Sequence, residues 1–382
     1  MKKGNSNEGN TGSAYAKAGV NYDDVDPYKL MAQECAKQTS EVVGNPLMLF
    51  VEDGTSRGES AFLMGYKGRY FATVIEGLGS KNLVADKMEE LTGKCFYGPI
   101  AQDTIAMIVN DMITVNALPV VITQHIDMGN DDFFKKFPKK AKKLALGWRD
   151  ACIDSGAVWG PGETAVLKGI IIPDTISLSG SAFGFLDPKN KIEESKICAG
   201  DVIVCVESSG IHANGLSLAR KIAEGLPKGY LTNVYGGKFF GELLLKPTHI
   251  YVPFMKECMK RNVDPHYAVN VTGHGLRKFM RPNIPFQYVL DNVLQNVHPE
   301  FKFIQEHGNV SDEDMLGTFN MGVGFALYVS PNDAGEVIAA AKQCGLNAWI
   351  GGHVREARDN KKEVIVMERS VTFSEESMTI RA

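Results

Sequence analysis

Two periods of apolar residues alternate along this chain, and the change from one to the other marks its elements. Residues 101–117, AQDTIAMIVNDMITVNA, repeat at helical spacing: Ile105, Ile108, Val109 and Met112 form a core-facing side, while Asp103, Met107 and Asp111 follow one edge. Two carboxylates therefore share an edge of a buried helix. Strand-like apolar runs occur at 70–75, 201–207 and 323–329, and AWIGGHV with KEVIVMER is expected to close a sheet. Helices are expected over 26–43, with Pro27 in the first turn, and over 82–90, 148–155 and the segment after Pro331. Residues 1–14 are rich in Gly, Asn and Ser and read as a flexible arm. Strands and helices are interspersed throughout, which predicts α+β (mixed α/β) architecture.

With 382 residues the chain exceeds the size at which one core usually stops growing, so two domains are expected, 1–172 and 173–382, divided near Pro173. A formal charge of -4 argues against a broad nucleic-acid-binding surface, and the basic run at 135–143 reads first as a solvated helix face. Seven cysteines without a CxxC pair disfavour a disulfide scaffold or a thiolate zinc site. No stretch has the length and apolarity of a membrane span, so the expectation is a cytoplasmic protein without membrane or nucleic-acid partners.

The candidate chemistry gathers where runs open into glycine turns. TVIEGLGSK, residues 73–81, carries Glu76, two glycines (Gly77 and Gly79), Ser80 and Lys81 after a strand; it is neither a complete P-loop nor a GxGxxG fingerprint, and an ordinary turn is the competing reading. Carboxylates for Mg²⁺, exposed backbone N–H groups and a lysine are what a polyphosphate requires. Glu163 lies in GPGETA, read as a Gly/Pro turn, and is a further carboxylate. In the second half SSGIHANG, 208–215, joins a strand to a helix and can bind an anion at the helix start; a locally satisfied cap is the alternative. TGHG, 272–275, forms a second loop of this kind.

SAYAKAGVNYDD, IEGLGSK, DTIAMIVNDM, GETA, GDVIVCVESSGIHANGLSLARK, LLLKPTHIYV, NVTGHG and GNVSDEDMLGTFNMGVG occur in the order typical of one family. Nearly the whole chain resembles the phosphoribosylformylglycinamidine cyclo-ligase (aminoimidazole ribonucleotide synthetase) family. The resemblance implies that two-domain fold, a homodimer paired through its N-terminal sheets, and ATP-driven closure of formylglycinamidine ribonucleotide to 5-aminoimidazole ribonucleotide. With the chemistry above, it makes Glu76, Asp103, Asp111 and Glu163 the expected Mg²⁺ ligands, Asn110 an orienting group and Lys81 a phosphate partner. Gly77, Gly79 and Ser80 would lie against ATP. His212 and Asn214 fall on the family's His-Ser-Asn-Gly loop, where they would contact substrate or move a proton, and Thr272 and Gly273 would lie near the ligand. The sequence departs from the family in Glu76 for aspartate, Val166 for a glutamate, His274 for a glycine and DGTSRGESAF for a glycine-rich loop. A related ATP-dependent kinase or synthetase, and a nucleotide-binding paralogue without catalysis, are the alternatives.

Overall fold

The computed structural model describes residues 18, 22–39 and 50–378, so the arm at 1–14 lies outside the described residues. In chain order the first half is α1 (Tyr22–Lys37), β1 (Phe50–Glu52), β2 (Phe62–Tyr66), β3 (Arg69–Gly77), α2 (Lys81–Thr92), α3 (Tyr97–Met112), β4 (Leu118–Met128), α4 (Phe133–Lys136), α5 (Pro138–Ser155), β5 (Val158–Val166) and β6 (Ile176–Leu186). The second half is β7 (Val202–Glu207), α6 (Leu216–Gly225), β8 (Asn233–Tyr235), β9 (Lys238–Phe239), α7 (Phe240–Leu244), α8 (Val252–Lys260), β10 (Tyr267–Asn270), β11 (Phe286–Leu290), α9 (Pro299–Gly308), α10 (Asp312–Thr318), β12 (Val323–Val329), α11 (Ala334–Gln343), β13 (Ala348–Glu356), β14 (Glu363–Val366) and β15 (Val371–Ser374).

Among the described residues there are two mixed sheets, one of six strands in the order β1-β2-β3-β6-β4-β5 and one of seven in the order β10-β12-β7-β13-β11-β14-β15, and a two-stranded ribbon of β8 and β9. In the first, only β4 and β5 run parallel; in the second, only β11 and β14 do. β6 corrects the expected division at 172/173. That division assigns it to the second half, but it lies between β3 and β4 of the first sheet, because its alternating inward side chains complete that sheet's core. The change from one sheet to the other falls between Leu186 and Val202.

Two local expectations also change. GPGETA forms the edge strand β5 and not a turn; an edge position leaves Pro161 without a ladder bond to donate. α1 begins at Tyr22, which puts Pro27 inside it, and the expected end of that helix at 40–43 lies outside the described residues.

α3 holds the two halves together. Of its sixteen residues thirteen are buried, and it packs on β3 and β6, against α5, and along its acidic edge against the second domain. One continuous apolar core runs through both domains as a result. The approach to α5 is close at Gly98 and Gly147, where a Cβ on Gly147 would stand 2.6 Å from the Gly98 carbonyl oxygen. Lys140, in the run read as solvated, is buried, because its ammonium pairs with Asp86 at 2.6 Å and lies over the rings of Tyr97, Phe133 and Phe137.

Candidate active site at the domain junction

The edge of α3 meets a different second-domain group at each turn. Asp103 Oδ1 accepts from the Thr248 N–H at 2.8 Å and the Thr248 hydroxyl at 2.5 Å. Met107 Sδ lies 3.9 Å from Asn214 Nδ2. Asn110 donates to the His249 carbonyl at 2.8 Å and accepts from the Tyr251 N–H at 2.9 Å. Asp111 Oδ1 accepts from Asn270 at 2.7 Å. A polar stripe that must be buried has thus found partners across the junction.

Lys81 turns away from any open surface. Its Nζ is fully buried and donates to Asp103 Oδ1 at 2.8 Å, the His212 carbonyl at 2.8 Å and the Lys246 carbonyl at 2.9 Å, which uses all three ammonium protons. Burial pulls the Lys81 value down and the Asp103 value up, each opposed by the other's charge. Lys81 and Asp103 therefore form a buried ion pair within the first domain whose remaining hydrogen bonds reach the second domain at His212, Lys246 and Thr248, apart from the other expected ligands. Asn110, with both ends of its amide on backbone, serves the same junction.

One turn along, Glu76 at the end of β3 faces Asp111. Burial, then the Asp111 carboxylate, push Glu76 up to about 7 against the nearby Lys278 ammonium. Two carboxylates that repel each other in a partly desolvated place are a fit for a hard divalent cation, and their oxygens suit Mg²⁺. Gly79, at φ +70°, takes the left-handed turn that places Ser80 as N-cap of α2, so the first N–H groups of a twelve-residue helix begin beside Glu76 and Gly77.

From the second domain, Thr272 Oγ1 accepts a hydrogen bond from buried Lys278, whose own value is lowered to about 8 by burial and Arg281. His274, at φ +70°, is held down to about 3 by burial and by Lys278 and Arg277. His212 is buried at φ +59°; its Nε2 accepts from the Ser209 N–H at 3.1 Å, and burial with His249 keeps it well below its usual value. The ring thus shapes its own loop as a neutral imidazole, while Asn214 remains partly exposed.

The structure brings Glu76, Asp111, the Gly77–Ser80 turn and the Thr272 loop together. Glu163 does not join them: it lines a cavity of about 330 Å³ on the outer face of the first sheet, with Ile75, His125 and Ser179. Sequence reasoning missed Lys278, Asn270 and the clamp at 54–62, where Tyr267 donates to Glu59 at 2.8 Å and Arg281 to the Gly58 carbonyl at 3.1 Å. Lys278 had one visible signal, a basic residue in the turn after TGHG.

Two domains joined by an acidic helix edge, with a glycine turn opening a helix at the junction, define a two-domain α+β protein with its candidate site at the junction. Residues 63–186 match the model for the N-terminal domain of AIR synthase related proteins, and residues 199–365 match that for the C-terminal domain. The phosphoribosylformylglycinamidine cyclo-ligase of Carboxydothermus hydrogenoformans is 32% identical over 359 residues, 93% of this chain and 98% of that one. The Methanocaldococcus jannaschii protein of the same name is 33% identical over 313 residues, 81% and 85% of the two chains. Among solved structures, AaThiL complexed with AMPPCP and TMP superposes with a TM-score of 0.56 at 13% identity, covering 83% of this chain and 91% of that one. T. maritima PurL complexed with FGAR gives 0.56 at 14%, over 84% and 47%. The chain belongs to the AIR synthase related family.

Proposed function

We propose that this chain is a phosphoribosylformylglycinamidine cyclo-ligase, a purine-biosynthetic enzyme that uses ATP to convert formylglycinamidine ribonucleotide to 5-aminoimidazole ribonucleotide, ADP and phosphate. The observation that carries the reading is identity at 32% over 93% of the chain and 98% of a cyclo-ligase, spanning both domains. In the reaction, the γ-phosphoryl group passes to the amide oxygen of the formyl group. The ribose-bearing amidine nitrogen then attacks that carbon, phosphate leaves with the oxygen, each ring nitrogen gives up its proton, and a proton moves from the ring methylene to the exocyclic nitrogen, which becomes the 5-amino group.

Glu76 and Asp111 would hold Mg²⁺, which neutralises charge on the transferring phosphoryl group. The N–H groups of Gly77, Gly79 and Ser80 would position phosphate oxygens. Lys278, on the opposite wall, supplies the positive charge first expected from Lys81. Asn214, Thr272 and Gly273 would orient the ribonucleotide, and His212 keeps Asn214 in place through its loop. We assign the work to a cytoplasmic homodimer whose protomers meet through the outer face of the first sheet, where Ile75, Val158 and Phe183 are exposed.

The test is an assay with purified protein, Mg²⁺, ATP and formylglycinamidine ribonucleotide, quantifying ADP and the imidazole product together. Equal amounts of both are expected, and none of either after EDTA treatment. ADP without the imidazole would indicate a related kinase or synthetase; ATP binding without turnover would indicate a non-catalytic paralogue.

A further inference from the structure

Away from the domain junction, one group of His, Cys, Asp and Glu side chains among the described residues has three donor atoms close enough for a single ion: Cys198, Asp201 and His266, all within 4.8 Å of one another. Asp201 is buried, and it gathers the other two. Its Oδ2 accepts from the Cys198 N–H at 3.0 Å and lies 2.7 Å from His266 Nδ1; its Oδ1 accepts from the Cys198 thiol at 3.4 Å.

The second sheet holds these groups in place. Strands β7 and β10 both pair antiparallel with β12, between them, so they run in the same direction; Ile203 and Tyr267 are both level with Tyr328. Asp201 and His266, just before those strands, therefore stand at the same end of the sheet. Backbone bonds fix each: Val354 N–H to the Asp201 carbonyl at 2.8 Å, and His266 N–H to the Tyr328 carbonyl at 2.8 Å. A Lys196–Asp264 ion pair at 2.8 Å joins the same two segments. Cys198 is exposed and His266 partly so, which leaves the group open to solvent.

We propose that Cys198, Asp201 and His266 form a binding site for a divalent transition metal of the zinc class, closed by a solvent molecule and stapling the starts of β7 and β10. The donor set decides the class. One sulfur, one imidazole nitrogen and one carboxylate oxygen suit Zn²⁺ and its tetrahedral analogue Co²⁺, whereas Mg²⁺ takes oxygen ligands. On binding, the Cys198 thiol loses its proton to solvent and His266 ligates as an imidazole with its proton on Nε2, leaving Nδ1 for the ion. Thiolate and carboxylate then balance the 2+ charge of the ion.

The site is independent of the proposed reaction, and its test needs no turnover. The full chain, reduced and stripped of metal, is titrated with Co²⁺ and followed by absorption. One equivalent should give a thiolate-to-cobalt charge-transfer band with the visible bands of tetrahedral cobalt, and Zn²⁺ should bleach both while excess Mg²⁺ does not. Carboxylates at Glu76 and Asp111 cannot produce that band. Cys198→Ser should abolish it, His266→Ala should weaken Co²⁺ binding at least about tenfold, and Cys35→Ser, which alters another exposed thiol, should leave it intact. Absence of the band at one equivalent, or its persistence in Cys198→Ser, would overturn the proposal.

Discussion

Lys81 donates three hydrogen bonds from a place without solvent, so its charge serves the junction between domains. Removing one member of such a pair strands the other, at a cost of about 3–5 kcal/mol. Lys81→Met should therefore lower stability in urea unfolding by that amount, and Lys81→Met with Asp103→Leu should recover much of it. Unaltered stability with lost ATP use would instead return Lys81 to the phosphate. Sequence placed this lysine at the right turn but not its direction, because a side chain at a helix start can point outward to a ligand or inward to a buried carboxylate 22 residues on. Glu76 makes a second residue-scale test. Its value of about 7, against 4.5 for an unperturbed glutamate, means that the folded chain binds more protons than the unfolded one between those pH values. Stability then falls as pH rises from 4.5 to 7. In EDTA, Glu76→Gln should flatten that part of the melting-temperature profile; a slope equal to that of the parent would show that Glu76 is not the titrating group.

At the scale of the element, α3 was the most legible part of the chain and also the most incompletely read. Its period fixed a buried helix, and thirteen buried residues of sixteen agree with that. What its acidic edge touches was not legible, since Thr248, Asn214 and Asn270 lie more than a hundred residues away. β5 differs from the expected turn for another reason: Gly160, Pro161 and Gly162 have turn chemistry, and only the sheet order shows them on an edge that tolerates it. The contact of α3 with α5 gives the element-scale prediction. Gly147→Ala would place a methyl group against Gly98 backbone on a rigid helix, and overpacking of this kind costs about 1–3 kcal/mol. A thermal-denaturation midpoint equal to that of the parent would mean that the two helices can separate at no cost.

For the whole molecule, the first sheet has a core on one side and an unusual surface on the other. Ile75 is 80% exposed, Val158 66% and Phe183 43%, with Phe71 stacked on Phe183 at 5.4 Å. Large apolar side chains exposed on one face suit an interaction surface, and pairing through the N-terminal sheets, expected from the family resemblance, would cover them. Ile75→Asp with Phe183→Asp should then convert a dimer to a monomer in sedimentation while leaving the circular dichroism spectrum unchanged, because neither side chain faces the core. A parent protein that sediments as a monomer at micromolar concentration would remove the dimer. The same experiment decides what Glu163 can do. It stands 3 strands from Glu76 in the sheet order, on the face that a partner would cover, so within one protomer it has no part in the Glu76–Asp111 pair. If the dimer brings Glu163 to nucleotide, Glu163→Gln should lower ADP formation without changing the melting temperature, and should have no further effect in the monomeric double variant. Equal losses in dimer and monomer would mean that Glu163 acts on its own protomer, and the Mg²⁺ site would have to be sought nearer β5.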